Sequence, residues 1–464
     1  MSRRVLLLVS HQSYRAEAFM DAIGGLDLAV TVGTDREQAL GFLNPAGNLT
    51  LDFAAPAAAA ARAAAFARAW PIDAVLAAED EGVILAAAIA AELGLPGHPV
   101  QAVVDARDKH RSRQAWRSAG LPTPAFARYP LDSDPEALAG QLAAAARSGH
   151  AAMAPDRAAE ADAADAADAG SAAIAAPGFP CVLKPLALSA SRGVIRADDA
   201  AGFVRAWRRL AAILSRPELA AGGDAWARHV LVEDYLPGSE HAVEGLLTDG
   251  RLHPLAIFDK PDPLEGPFFE ETIYVTPSRL PEPRQTALLE AVQTAALALG
   301  LRQGPIHAEL RLNAAGPCML EIAPHAIGGL CGRSLRFVPT AGDAAPATIS
   351  LEALSLRHAL GEPAAAWRRE PAASGVMMIP IPRAGILRGV RGLEAAQAWP
   401  GVDEVRMGLA PGTPVEPPPE GAQYLGFIFA HAETPAEVEA ALRSAHQQLE
   451  FEIETRDHPG GQPA

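Results

Sequence analysis

Residues 304–329 read GPIHAELRLNAAGPCMLEIAPHAIGG, and the interpretation of this stretch governs that of the whole chain. Two runs, Ile306–Asn313 and Pro317–Ala323, flank a short Ala-Ala-Gly segment, the pattern of an antiparallel hairpin. A loop of Ala314, Ala315 and Gly316, with the glycine in the left-handed region, sets Asn313 against Pro317. Stepping back along both strands then brings Glu309 opposite Glu321, their Cβ atoms roughly 5 Å apart on one face. The same register gives Ile306, Ala308, Leu310 and Leu312 the other face, with Cys318, Leu320 and Ile322, and that face is wholly apolar. Two facing carboxylates repel each other in an inert sheet. A divalent cation between them removes the conflict, and carboxylates with substrate phosphates are what magnesium prefers. A solvated outer face also suits such a pair, and a shorter loop would separate the two glutamates, so the flanking residues must decide.

Upstream, FPCVLKPLALSASRGVIRA over residues 179–197 puts Lys184 near the end of an apolar strand. A small-residue loop through Ser189, Ser191 and Gly193 follows. Small residues let backbone N–H groups approach an anion, and a lysine adds a point charge on a phosphate. A plain hairpin loop beside an exposed lysine is the simpler alternative. In VLVEDYLPGSEHAVEGL, residues 230–246, Glu233 ends an apolar strand, Pro237-Gly238 turns the chain, and Glu240 opens the next strand. A carboxylate beside strand-end backbone can read the amino edge of adenine, and a second can hold ribose hydroxyls. Surface hairpins carry the same residues.

The amino-terminal third alternates strand and helix. Val5–Val9, Leu28–Val32 and Ala74–Ala78 read as strands, with helices beginning near Arg15 and ending near Gly94, which indicates a parallel α/β sheet. The turn after the first strand, SHQSYRAEAF, lacks G-x-G-x-x-G, which argues against a dinucleotide site there. Asp105–Leu121 reads as one helix carrying Lys109. The Ala- and Asp-rich tract from Ala143 to Pro177 reads as an insertion, linker or surface helix. Past Pro371, strands GVMMIPI, DEVRMG and YLGFIFAHA precede a helix opened by Thr434, Pro435 and Glu437, a capping box. The fold class is therefore mixed α/β and α+β.

A formal net charge of -16 argues against a general grip on nucleic acid or an anionic membrane. The three cysteines show no C-x-x-C spacing and suit reduced thiols in a cytoplasmic protein. No run is apolar for long enough to span a bilayer.

Taken in order, these pieces resemble the ATP-grasp superfamily. Lys109 in DKHRSRQAWRSAGLPTP is similar to the lysine that opens its nucleotide-binding module, and Lys184 in VLKP to the phosphate lysine before its flexible loop. Glu233 with the backbone of Asp234 and Leu236 resembles the adenine-reading hinge, Glu240 the ribose carboxylate, and Glu309 and Glu321 the two acidic metal ligands. The tail, with IFDKPDPLEGPFFEETIYVTPSRLP over residues 257–281, looks like that of L-amino acid ligases. The resemblance implies a Rossmann-like domain over 1–104, an ATP-grasp module of two α+β subdomains over 105–368, and a small α/β carboxy-terminal domain over 369–464. It also implies Lys260 as a second phosphate contact, and Glu270 and Glu271 facing a substrate ammonium, although two exposed loop glutamates are the plainer reading.

One motif departs. The usual E-[IV]-N-P-R is here Glu321-Ile322-Ala323-Pro324-His325, so an amide ligand is missing and His325 stands at the arginine position. Arg311 or Arg333 are the candidate substitutes, and His307 is placed to steady an acyl phosphate or to serve as a structural histidine. The implied activity is an ATP- and Mg2+-dependent ligase, with Mn2+ as a substitute, that joins a small-molecule carboxylate to an amine through an acyl phosphate. A homodimer is compatible with it. The alternatives are an ATP-binding protein without turnover, and a carboxylase or other non-peptide ligase.

Overall fold

The computed structural model describes residues 2–11, 13, 15–38, 41–147, 176–220, 225–341 and 348–455. Most of the Ala- and Asp-rich tract, residues 148–175, lies outside the described residues.

The amino-terminal sheet is parallel. Strand Arg3–Leu8 pairs with Leu28–Thr34 on one side and Ala74–Ala77 on the other, with Asn48–Thr50 at the edge. Strand Arg3–Leu8 lies between two neighbours, so Val5, Leu6, Leu7 and Leu8 are buried on both faces, which explains the unbroken apolar run. Helix Val83–Leu93 ends on Gly94 in the left-handed region at φ 65°. The single helix expected over Asp105–Leu121 is two. Val100–Arg107 stops where Asp108 turns extended, and the Asp108 carboxylate then caps Lys109–Ser118 by accepting from His110 N and Arg111 N. That break puts Lys109 in the first turn of a new helix, where it points across the cleft.

A four-stranded antiparallel sheet carries Cys181–Pro185 between Ile195–Ala197 and His229–Asp234, with Phe126–Pro130 outside. Helices Pro135–Arg147 and Ala200–Leu214 cover it around Phe203, Trp207 and Leu210. The larger sheet has eight strands, in the order Gly316–Ala323, Gly304–Asn313, Ser239–Thr248, Arg251–Lys260, Ile273–Thr276, Ala373–Ile379, Gly426–Ala432 and Val402–Met407. Its first half packs on helix Glu282–Ala298 and its last strands on Pro435–His446. The sheet therefore runs on without a break past residue 369, through the pairing of Ile273–Thr276 with Ala373–Ile379. Thr434 and Glu437 form the expected capping box.

The hairpin reaches its pairing by a different route from the one anticipated. Asn313 pairs with Gly316, so only Ala314 and Ala315 make the turn. That shorter loop alone would have put the glutamates on opposite faces. A β-bulge between Glu309 and Leu310 absorbs the extra residue, and Glu309 again faces Glu321. The correction falls on the apolar face: Met319 takes the core position expected for Leu320, and Leu320 turns toward the cleft. Where strand Ser239–Thr248 begins, Gly238 at φ 125° passes so close to this hairpin that a Cβ would lie 2.3 Å from the Leu312 carbonyl oxygen.

Candidate active site

A cleft of about 660 Å³ opens between the sheets, lined by residues of every part of the chain. Lys109, Lys184, Ser189, Ser191, Glu233, Asp234, Leu236, Glu240, His307, Glu309, Arg311, Glu321 and His325 all line it, so the chain brings together most of the residues singled out from sequence.

At one end, three ions form a buried triad. Lys184 donates to Glu233, and Arg113 donates from Nε to Glu233 Oε2 at 3.0 Å and from Nη2 to Oε1 at 3.3 Å. Burial alone would raise the Glu233 carboxyl, but the guanidinium and the ammonium outweigh it and hold the group at about 2. Arg113 also donates to the Leu320 carbonyl at 2.9 Å, tying the helix to both sheets. Beside the triad, Asp234 accepts from Gly178 N at 2.7 Å, and Tyr235 stacks on Phe269 with Arg196 4.0 Å over its ring.

The small-residue loop turns through Ala190 and Ser191, with φ of 54° and 53°, and Gly193, with φ of 75°. The Gly193 N–H is given to the Pro419 carbonyl at 2.9 Å, whereas the N–H groups of Ala190 and Ser191 meet no acceptor among the described residues. Successive N–H groups in such a turn make an anion-binding concavity.

The acidic hairpin lines the cleft beside the triad. Lys109 Nζ lies 3.1 Å from Glu321 Oε2 and donates to the Leu188 carbonyl at 2.9 Å. Lys260 sits beneath the cleft, its ammonium donating to Glu240 and Glu271 at 2.7 Å and Glu309 at 2.9 Å. Those bonds use all three of its N–H groups, leaving none for a phosphate in this state. Glu271 is pushed up to about 7, by burial first and then by Glu309, against the pull of Lys260. His307 bridges Glu244 and Glu309, at 3.1 and 3.4 Å, and these carboxylates overcome burial to raise it to about 9. Glu244 is buried completely and accepts from Ile327 N as well, so it positions both the imidazole and the loop after the hairpin.

Arg311 is buried with every guanidinium nitrogen engaged: Nε on Glu240 Oε2 at 2.9 Å, Nη1 on the Gly238 carbonyl at 3.0 Å, and Nη2 on the Leu264 carbonyl. Arg333 is not brought into the cleft but pairs with Glu404 at 2.8 Å beneath Phe429. Glu270 likewise stays outside, whereas Glu271 lines the cleft.

Glu309 and Glu321 offer facing carboxylate oxygens, and Glu240, Glu271 and Glu309 present oxygens within 4.8 Å of one another around Lys260. Hard oxygen donors of this kind suit a magnesium-type ion that keeps substrate phosphates as its other ligands. Cationic ends, a concave N–H loop and an acidic hairpin together can hold a nucleoside triphosphate and its divalent ion.

Comparison with known proteins agrees with this arrangement. Three family profiles match: an ATP-grasp N-terminal domain over residues 22–97, an ATP-grasp domain over 177–334, and an L-amino acid ligase C-terminal domain over 377–454. A D-alanine--D-alanine ligase of Azoarcus is 30% identical over 271 residues, covering 57% of this chain and 70% of that protein. The chain belongs to the ATP-grasp family. A second relative, carnosine synthase 1 of Gallus gallus, is 32% identical over 262 residues, covering 55% of this chain but only 24% of its own length. The crystal structure of an L-amino acid ligase from Bacillus licheniformis superposes with a TM-score of 0.72 at 24% identity, covering 98% of this chain and 99% of that one.

Against this ATP-grasp frame, sequence reading missed Arg113, Arg15, Glu244, Asp80 and Arg107. Arg15 is buried, donating to the Ala326 and Ile327 carbonyls at 3.2 Å and to Glu352 at 3.1 Å. Arg107 and Asp80 pair at the cleft wall. Arg113 left only a faint trace in the sequence, its place three residues before Trp116 on one helix face. The others depend on contacts more than 25 positions apart and left none.

Proposed function

We propose that the protein is an ATP-dependent carboxylate–amine ligase acting on amino acids. The reading is carried by one observation: Glu309 and Glu321 face each other across a hairpin at one end of a cleft whose walls carry Lys109, Lys184 and the Ala190–Ser191 N–H groups. The family relatives that join amino acids support the substrate class.

Lys184, Lys109 and the small-residue loop hold the phosphate oxygens, while the backbone of Asp234 and Leu236 meets the adenine. Glu309 and Glu321 would hold magnesium, which when bound offsets phosphate charge. A carboxylate oxygen of the acid substrate attacks the γ-phosphorus, the bond to ADP breaks, and an acyl phosphate forms. The amine nitrogen of the second substrate then attacks the acyl carbon, the carbon–oxygen bond to phosphate breaks, and the nitrogen loses a proton. His307, with one ring nitrogen on Glu244 and the other on Glu309, steadies Glu309 beside the reacting oxygens. Glu271 stands in the cleft as the carboxylate to hold a substrate ammonium. The loop through Ser189–Gly193 and, within the segment 259–276, the stretch 261–272 between its two sheet strands are the parts assigned to keep water from the acyl phosphate.

No helix among the described residues is long and apolar enough to cross a membrane, which fits a cytoplasmic enzyme with small-molecule substrates.

The test is ADP release from ATP and magnesium over a panel of amino acid pairs, with products weighed by mass spectrometry. Pair-dependent ADP and a product lighter than its two acids by one water support the reading. ATP binding with no pair-dependent ADP refutes it, and turnover driven by bicarbonate without an amine points to a carboxylase instead.

A further inference from the structure

A ligase of this kind must hold an anionic carboxylate against the anionic tail of ATP and then neutralise the oxyanion made when the amine attacks. That requires a cation in the cleft with donors still uncommitted. Most cleft cations do not qualify. Lys184 gives a donor to Glu233 and, with Lys109, belongs with the phosphates, Arg311 has all three guanidinium nitrogens engaged, and Arg15 is buried against two carbonyls and Glu352. Arg192 lines the cleft within the small-residue loop, and its Nε is given to the Glu420 carbonyl at 3.1 Å. Lys109 faces Glu321 and belongs with the phosphates.

Arg107 differs. It is the last residue of helix Val100–Arg107, and its Nε and Nη2 grip both oxygens of Asp80, with contacts of 3.1, 3.1 and 2.7 Å. Nη1 has no acceptor among the described residues, and the side chain, 28% exposed, lines the cleft. Asp80 thus fixes one edge of the guanidinium and leaves the other toward open space. It stands on the Glu321 side of the acidic hairpin. Lys109, two residues on, reaches Glu321, while His325, four residues past Glu321, brings Nε2 within 3.7 Å of Asp80 Oδ1. A planar fork held on one edge by a carboxylate matches a second carboxylate or an acyl phosphate on its free edge.

We infer that Arg107, oriented by Asp80, is a catalytic residue that binds the reacting carboxylate and stabilises the oxyanion during amide formation. Asp80 is a positioning residue. The inference rests on the ligase reading and adds to it the group that meets the acid substrate.

The experiment compares wild type, Arg107→Ala and Arg107→Lys in the full chain with an active amino acid pair. R107A should lose roughly 100-fold or more in kcat/KM for the acid, the effect of deleting one oxyanion donor. Its affinity for a fluorescent ATP analogue should stay within about twofold of wild type, because the phosphates are held elsewhere. Guanidinium chloride below unfolding concentrations should restore part of the lost turnover in R107A and none in wild type, a response that a merely structural arginine would not give. R107A within threefold of wild type overturns the inference, as does a loss confined to ATP affinity. Should R107A fail to fold, R107K decides: a loss of roughly tenfold, the worth of one charge-assisted hydrogen bond, is expected, and wild-type turnover overturns it. A wild type inactive on every pair removes the ligase reading and this inference with it, whereas an active wild type with an unaffected R107A removes only the assignment of Arg107.

Discussion

Replacing Arg113 with methionine leaves a buried carboxylate short of its main partner. In the native chain Arg113 is fully buried, and Glu233, only 2% exposed, draws on it and on Lys184 for its charge. Its drop from 4.5 to about 2 corresponds to about 3 kcal/mol of preference for the ionised form. Deleting one partner of a buried pair costs about 3–5 kcal/mol when the remaining charge is stranded; Glu233 keeps Lys184 in R113M, so the loss should fall at or below the lower end of that range. The effect has a signature beyond its size. The double variant R113M/E233M removes the stranded charge as well, and Lys184, already held below its ordinary value by burial, can give up its proton. It should therefore be more stable than R113M alone. The pH dependence follows with a definite sign. The folded-state value of Glu233 lies below its unfolded one, so its contribution is present above pH 4.5 and lost as pH falls toward 2. In R113M that loss should begin at higher pH. Urea unfolding followed by tryptophan fluorescence reads all three chains, since Trp116 lies one helical turn from Arg113. Equal stability of R113M and wild type, or a double variant weaker than R113M, would refute the reasoning.

Further expectations concern other parts of the cleft. Glu309→Gln and Glu321→Gln should each raise the magnesium needed for ADP release by more than the roughly 10–100-fold that losing a group behind a ligand costs, and unchanged magnesium dependence would remove the hairpin from the metal site. Gly193, Arg192 and Arg209 are all held by the segment 419–420, with Arg209 forking onto Glu420 at 2.6 and 2.8 Å. Reversing one charge, as in Glu420→Arg, should loosen the nucleotide loop and weaken ATP binding by up to roughly fivefold, with recovery in the swapped pair R209E/E420R; equilibrium binding of an ATP analogue checks this, and failure of the swap to recover counts against the clamp. Burial pushes the thiols of Cys181, Cys318 and Cys331 up to about 12, 11 and 12. Iodoacetamide at pH 8 should label them slowly in the native protein and quickly in denaturant. Free-thiol rates in the native state would show one of them to be exposed.

The paired glutamates were legible because alternation in two short runs specifies which residues share a face, and a wholly apolar partner face leaves few registers open. The turn was not legible. Ala-Ala-Gly permits a loop of two or three residues, and a bulge can cancel the difference, so the same pairing arises with Met319 rather than Leu320 in the core. Lys184 and Glu233 were both visible at strand ends, but the triad they form with Arg113 joins those two strands to a helix whose arginine lies 120 positions from Glu233. Lys260 read as a phosphate contact, yet three carboxylates converge on it from separate strands and a loop.

Local pattern was thus sufficient for what depends on neighbours along the chain: strands and their faces, the capping box at Thr434, and the order of motifs that places the chain among ATP-grasp proteins. Tertiary structure alone decided which charges are spent and which remain available. Arg15, Arg107, Arg113, Arg311 and Arg333 carry the same side chain, and only their folded surroundings distinguish a saturated guanidinium from one with an open edge. The reason is physical: a guanidinium's five donors are satisfied by groups from distant segments, and that accounting exists only once those segments have met.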